Sequence, residues 1–465
     1  MFRTFLNIFK VPELRNKVLF TLFLLAIYRI GYHVPLPGVD QKAFGDLAQK
    51  QSEDQTAAGR LAQYVSLFSG GSLSQSTIFG LGVMPYISAS IIFQLLTTVV
   101  PSLEKLQKEG ETGRKKIQEW TRYATVVLCF IQGVFWVKYM HSTTPPLVQR
   151  TLFNTASFWI CAVAALTAGS VFLMWLGEQI DEYGLGNGIS LIILAGIVSR
   201  MPQAIGLLIT QTNFSAQPNN LKPIGPGPLI ILAISFVVII SGSILITQAQ
   251  RRIPIQQAKH TRGRRVYGGS KQYLPLRVNH GGVMPIIFAQ SLMLFPGVAF
   301  GYLAGLFNNQ SSVLNWLNSE FARGGFVYIM TEIILIYFFA YFWTTVQFQP
   351  KEMANQLRDY GSFIPGLRPG KRTADYLEKV MMRITYVGAA FLCIIAVIPT
   401  TLNTWLKVPF QITAFLGGTG LLIVVSVALD MVQRIEANLL MRNYGGFLGG
   451  GEGGAGKKRI KGRQS

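Results

Sequence analysis

Between Arg60 and Glu104 the chain runs for 43 residues, Leu61 to Leu103, without a charged side chain. A helix needs about 20 residues to cross about 30 Å of hydrocarbon, so this stretch has room for two crossings. Only its second half reads as one. Residues 78–100 are predominantly apolar, whereas the first half is interrupted by Gly70, Gly71 and a run of Ser, Gln and Thr. Such a half-segment is expected to enter the membrane without crossing it. Broken backbone at that depth is tolerated only where protein or a water-filled cavity satisfies its polar groups. The sequence therefore predicts a cavity beside helix two.

A chain of 465 residues that is half hydrophobic and only 14% charged is too apolar to be soluble at this size. Its formal net charge of +21 raises the possibility of a nucleic-acid partner, but in a membrane protein it also follows from basic cytoplasmic loops. Cys129, Cys161 and Cys393 sit inside apolar runs without metal-ligand spacing. They read as small buried hydrophobes rather than a disulfide framework or zinc site.

Arg3, Lys10, Arg15 and Lys17 precede the apolar run Val18–Ile30, a layout like a secretory signal. No small-residue cleavage site follows, so this is read as a retained first helix. Beyond helix two, runs near bilayer length lie at about 120–140, 154–176, 186–208, 226–248, 281–302, 326–346, 380–399 and 411–431. The expectation is an all-α polytopic membrane protein of ten helices, with both termini on one side.

Charge orients the bundle. The segments 1–17, 101–119, 177–185, 249–280, 347–379 and 432–465 hold thirty basic residues, against nine in the alternate set. The first set is assigned to the cytoplasm by the excess of Lys and Arg there. The loop with Glu178, Asp181 and Glu182 dissents, having no base beside them in sequence. The chain then divides into a cytoplasmic N-terminus (1–17), helices one to five (18–208), a linker (209–225), helices six to ten (226–431) and a Gly-rich basic tail (432–465). Two halves of five suit an inverted repeat, an architecture that often builds its site from discontinuous helices. The tail's Lys457, Lys458, Arg459, Lys461 and Arg463 suit anionic lipid.

Two cytoplasmic loops exceed what topology needs. Residues 250–278 carry Arg251, Arg252, Lys259, Arg262, Arg264, Arg265, Lys271 and Arg277, with no acid and with Tyr267 and Tyr273 interleaved. That density satisfies the positive-inside pattern and also suits RNA or an acidic protein surface. In the second loop Pro365, Gly366, Pro369 and Gly370 frame Arg368 on a turn that presents the guanidinium. Side by side, the loops would form a docking platform.

Several long motifs now stand in a single order: GGSLSQSTIFGLGVMPYISASIIFQLLT, FLMWLGEQIDEYGLGNGIS, RRIPIQQAKHTRGRRVYGGSKQYLPLRVN, FIPGLRPGKRTADYLEKVMMRIT and GGTGLLIVV. They resemble the bacterial SecY family, channel subunits of the Sec translocase, across roughly residues 12–445. The insert near 47–60 and the Gly-rich tail are not explained by the resemblance. It implies a channel that passes unfolded secretory polypeptides across, and releases membrane proteins sideways into, the bacterial cytoplasmic membrane. Two inverted halves would surround the pore, with a plug at about 61–74 including Gly70, Gly71, Ser72 and Leu73. An apolar pore ring would comprise Val83, Ile87, Ile189, Ile193, Ile287 and Ile423. Ser88, Ser90, Gln94, Gln290 and Ser291 would line a lateral gate between helices two and seven. Arg264, Arg265 and Arg368, with Arg251, Arg252 and Lys259, would dock the ribosome and the SecA motor ATPase. SecE and SecG subunits, a nascent chain and signal-peptide-bearing polypeptides are the other implied partners. Spacing agrees with the ring at two points, since 83 with 87 and 189 with 193 are i,i+4 pairs on one helix face.

The chain carries no Walker A loop, no HExxH and no nucleophile elbow, so no enzyme or cofactor is expected and energy must come from partners. An ion-coupled solute transporter would require ionisable residues near mid-span. Here there is mainly Glu332, with Arg29 and Arg383 near span ends.

Overall fold

The computed structural model describes residues 12–39, 77–142, 156–212, 225–257, 260–262, 265–267, 271–290, 292–293, 296, 300, 312–323, 325–406, 412 and 419–448. The expected plug, the insert near 47–60, most of the linker, the end of the tail, and Lys259, Arg264 and Ser291 lie outside these residues.

Helical structure stands at each of the ten expected runs. Helix α1 is Pro12–Gly31, α2 is Met84–Val99, α3 is Pro101–Lys108, α4 is Glu111–Ser142, α5 is Ala156–Tyr183, α6 is Gly188–Gln211 and α7 is Pro226–Gln248. A helical segment at 284–290 follows, then α8 (Ser312–Arg323), α9 (Phe326–Gln347), α10 (Pro350–Asp359), α11 (Lys371–Leu406) and α12 (Thr419–Leu448). Among the described helices, six are long and apolar enough to cross a membrane alone, and a seventh if the bent pair α2–α3 counts as one span.

Helix two begins later than its hydropathy suggests. Pro35 bridges Thr77, the Ile78 amide donates to Val34 O at 3.1 Å, and residues 77–83 form successive turns. Gly82 has a positive φ of 59°, which L side chains rarely adopt, and Pro85 fits the helix start, where its missing N–H costs nothing. At its far end Val100 is extended because Pro101 disfavours helical backbone before it, and the chain bends by 102° into α3.

Outer helix faces are lipid-like. On α7, Ile230, Ile231, Ile234, Val237, Val238 and Leu245 are all exposed, an apolar face that soluble monomers rarely present. Cys129 and Cys393 are buried as expected, but Cys161 is exposed on α5, where an apolar span has a lipid side as well as a protein side.

The basic segment after α7 is not irregular but a β-ribbon. Strand β1 (Gln250–Gln257) pairs antiparallel with β4 (Lys271–Arg277), placing Ile253 opposite Leu274. At the tip, β2 (His260–Arg262) pairs with β3 (Arg265–Tyr267). Strand β5 (Ser362–Phe363), from the second basic loop, adds to the other edge of β1, with Gln256 opposite Phe363. Ile253, Leu276, Phe348, Ile364, Leu377 and Ile384 then form a buried cluster that seats this sheet on α11.

The dissenting acids stand on the last turns of α5 rather than on a loop, and the fold gives their reason. Glu178 pairs with Arg122 of α4 at 2.7 Å, and Asp181 accepts the Gly188 amide at 2.7 Å at the start of α6. Two of these acids serve helix packing and capping rather than topology.

Candidate functional site

The central buried cluster unites residues from both halves of the chain. Val83, Ile87, Ile193, Ile287 and Ile423 all belong to it, each at 9% exposure or less, and Ile189 packs against it half-buried. All six residues expected in the ring thus meet one hydrophobic core, from four separate helical pieces.

Each piece is set by local chemistry. Val83 caps α2, and its carbonyl accepts the Ile87 amide at 3.1 Å, so both face the same way. Ile189 and Ile193 follow a tightly fixed helix start. There Asn187 Oδ1 accepts the Ser190 amide at 2.9 Å, Asp181 takes that of Gly188, and the Leu185 amide donates to Thr21 Oγ1 at 3.1 Å. Gly188 lies against the Gly177 carbonyl so closely that a Cβ would overlap it, which lets α5 and α6 cross at contact.

Ile287 stands in a segment whose turn is closed by Asn279 Nδ2 donating to Gly282 O at 3.0 Å and by the Met284 amide on Gly281 O at 3.2 Å. The next residue, Phe288, is gripped edge-on by Phe339 at 5.7 Å and Trp343 at 5.3 Å between ring centres.

Of the expected gate residues, Ser88, Ser90 and Gln94 lie half-buried on α2, where Gln94 O accepts the Thr97 hydroxyl at 2.7 Å. Gln290 is buried, and its side chain hydrogen-bonds Glu332 of α9, a contact that sequence spacing does not reveal.

On the basic face Arg251 and Arg252 are exposed on β1. Arg265 opens β3, opposite Arg262. Arg368 is exposed on the turn closed by the Leu367 amide on Ile364 O at 3.0 Å, and its carbonyl accepts the Thr373 hydroxyl at 2.9 Å. Because β5 joins the ribbon, the two basic loops share one sheet. Tyr273 and Tyr360 are exposed alongside them. Among the described residues no group of three His, Cys, Asp or Glu side chains stands together as a metal ion needs.

Comparison with known proteins decides the family. The SecY family model matches residues 77–432. The protein translocase subunit SecY of Thermotoga maritima is 40% identical over 464 residues, covering all of both chains. The chain belongs to the SecY family. The SecY subunit of Halalkalibacterium halodurans is 41% identical over 450 residues, covering 96% of this chain and all of that one.

The SecY fold is shared with solved structures at lower identity. The structure of a protein conducting channel superposes with a TM-score of 0.57 at 19% identity, covering 94% of this chain and 95% of that one. A SecY structure studied for its plug domain gives 0.59 at 19%, with the same coverage. Sec61 in the canine ribosome-channel complex gives 0.55 at 17%. As a SecY protein, the chain is a multi-pass membrane subunit of the protein translocase and forms a protein-conducting channel; the family is one of channels rather than known enzymes.

Proposed function

We propose that Val83, Ile87, Ile189, Ile193, Ile287 and Ile423 form the channel's constriction, and that unfolded polypeptides pass through it while membrane proteins leave between α2 and the 284–290 segment. The observation that carries this reading is their convergence, from four helical pieces, on one buried hydrophobic cluster. Branched aliphatic side chains close around an extended chain without hydrogen-bonding it. When the channel is empty, a dry apolar constriction disfavours water and ions. Such a waist accepts many sequences yet stays sealed.

Gly70, Gly71, Ser72 and Leu73 would belong to the plug. Ser88, Ser90, Gln94, Gln290 and Ser291 would line the lateral seam, held by hydrogen bonds of only about 0.6 kcal/mol each, weak enough to break and reform. Both termini and the β-ribbon would face the cytoplasm. There Arg251, Arg252, Lys259, Arg264, Arg265 and Arg368 would receive the acidic or RNA surfaces of the SecA motor and the ribosome. SecE and SecG would complete the channel within the inner membrane, and the tail would rest on anionic lipid. The two halves, 18–208 and 226–431, would be joined by the 209–225 linker.

The test is a vesicle reconstitution. With SecA, SecE, SecG and ATP the protein should carry an unfolded signal-bearing precursor to the protected side. Failure to protect the precursor, with the complex intact, would overturn the reading.

A further inference from the structure

Glu332 is, among the described residues, the least exposed acidic or basic side chain, at 1% exposure. It begins a stripe on α9, for Glu332, Ile336, Phe339 and Trp343 recur at helical spacing on one face. Ile336, Phe339 and Trp343 all enter the central cluster. That face lies along the 284–290 segment. Phe339 and Trp343 grip Phe288, and Glu332 hydrogen-bonds Gln290. Ile287 thus sits beside an aromatic clamp and one turn from a polar bond, both made to the same helix. On its other side Glu332 neighbours α11, where the Cys393 thiol donates to Ile333 O at 3.8 Å.

A leucine at 332 would fill this place without desolvating a carboxyl group, whose burial is costly unless it is hydrogen-bonded. Glu332 Oε2 has no hydrogen-bond partner, so the side chain is not there to complete a satisfied network. One bond to the segment bearing Ile287, together with one unused oxygen, suits an attachment that releases and re-forms as that segment moves.

We infer that Glu332 is a positioning residue for the channel: through Gln290 it holds the 284–290 segment, and with it Ile287, against α9 in the sealed arrangement. This rests on the proposed constriction. The bond sets how readily the seam between α2 and 284–290 yields to a signal segment, so weakening it favours the open state.

The test uses the assembled translocase in vesicles, with Glu332→Leu, Glu332→Gln and Gln290→Leu. Two readouts are the ion permeability of the idle channel and the uptake of a precursor with a defective signal. E332L and Q290L should each raise both by about threefold or more, as the strength of such intramembrane bonds allows. E332Q keeps the bond and should stay within about twofold of the parent. The E332L/Q290L double variant should leak no more than either single one, because both remove one bond. A tight E332L channel, an E332Q channel as leaky as E332L, or additive leaks in the double variant would overturn the inference. If E332L does not assemble, Q290L against E332Q decides, and equal permeability overturns it. A cysteine at Ile287, crosslinked to a stalled precursor, tests the constriction separately. Its success beside a silent E332L sinks only the role of Glu332.

Discussion

Gly177 of α5 and Ile189 of α6 touch so closely that a Cβ on Gly177 would stand 3.2 Å from Ile189 Cγ1 and nearer still to Cδ1. The side chain of Ile189, one of the proposed ring residues, therefore occupies space left by a missing methyl group. Gly177→Ala is expected to push the Ile189 side chain aside, costing about 1 kcal/mol, at the low end for overpacked cores. Thermal unfolding of the purified complex should show a lower midpoint, and the idle channel should leak more. An unchanged midpoint would mean that the Ile189 side chain turns aside without cost.

The Asp181 carboxylate fixes the same helix start from the other side, through the Gly188 amide at 2.7 Å. Asp181→Ala leaves that amide without its charged acceptor and is expected to lower stability by about 1–2 kcal/mol. Asp181→Asn should recover part of it. Equal melting of Ala and Asn variants would contradict the capping role.

These two contacts show what sequence could and could not supply. The i,i+4 spacing of 83 with 87 and of 189 with 193 placed each pair on one face, because helical periodicity is local. The convergence of Ile287 and Ile423 on those pairs came from family resemblance, since spacing carries no information across helices. Hydropathy located ten helical runs but began helix two at 78, because it is blind to the turns at 77–83 and to the positive φ of Gly82. The β-ribbon was missed for a related reason. Its strands are rich in Arg and Gln, so no alternation of polar and apolar residues marks them, and the pairing of β5 with β1 joins segments about a hundred residues apart. The Glu332–Gln290 bond was illegible as well, although Glu332 stood out as a rare ionisable residue within a span.

His280 lies where the ribbon meets the 284–290 segment, edge-on to Phe348 at 5.8 Å, and its Nδ1 has no hydrogen-bond partner. Burial holds its imidazole below the usual histidine range, against the pull of a hydrogen bond to the Arg277 backbone. The folded chain therefore binds fewer protons than the unfolded one once pH drops below about 6.5. Stability from this site is present at neutral pH and is lost on acidification. A melting series across that range should show the decline, and His280→Phe should flatten it. An identical slope in the variant would remove His280 as the cause.

Arg368 is exposed on a turn tied to the ribbon's sheet, so reversing its charge should leave the fold intact. Arg368→Glu is predicted to cut motor-driven precursor uptake by about tenfold or more, as like charge does at a docking surface. The amount of protein in the membrane should not change. ATP-dependent uptake into inverted vesicles reads this directly, and normal uptake would end the assignment.

The central cluster is predicted to line the path of the translocating chain. With Cys129, Cys161 and Cys393 replaced, a single cysteine at Val83 or at Ile287 should crosslink to a precursor stalled in mid-transit. A cysteine at the lipid-facing Val237 should not. Crosslinks from Val83 and Ile287 to lipid alone, with the stalled chain untouched, would contradict it.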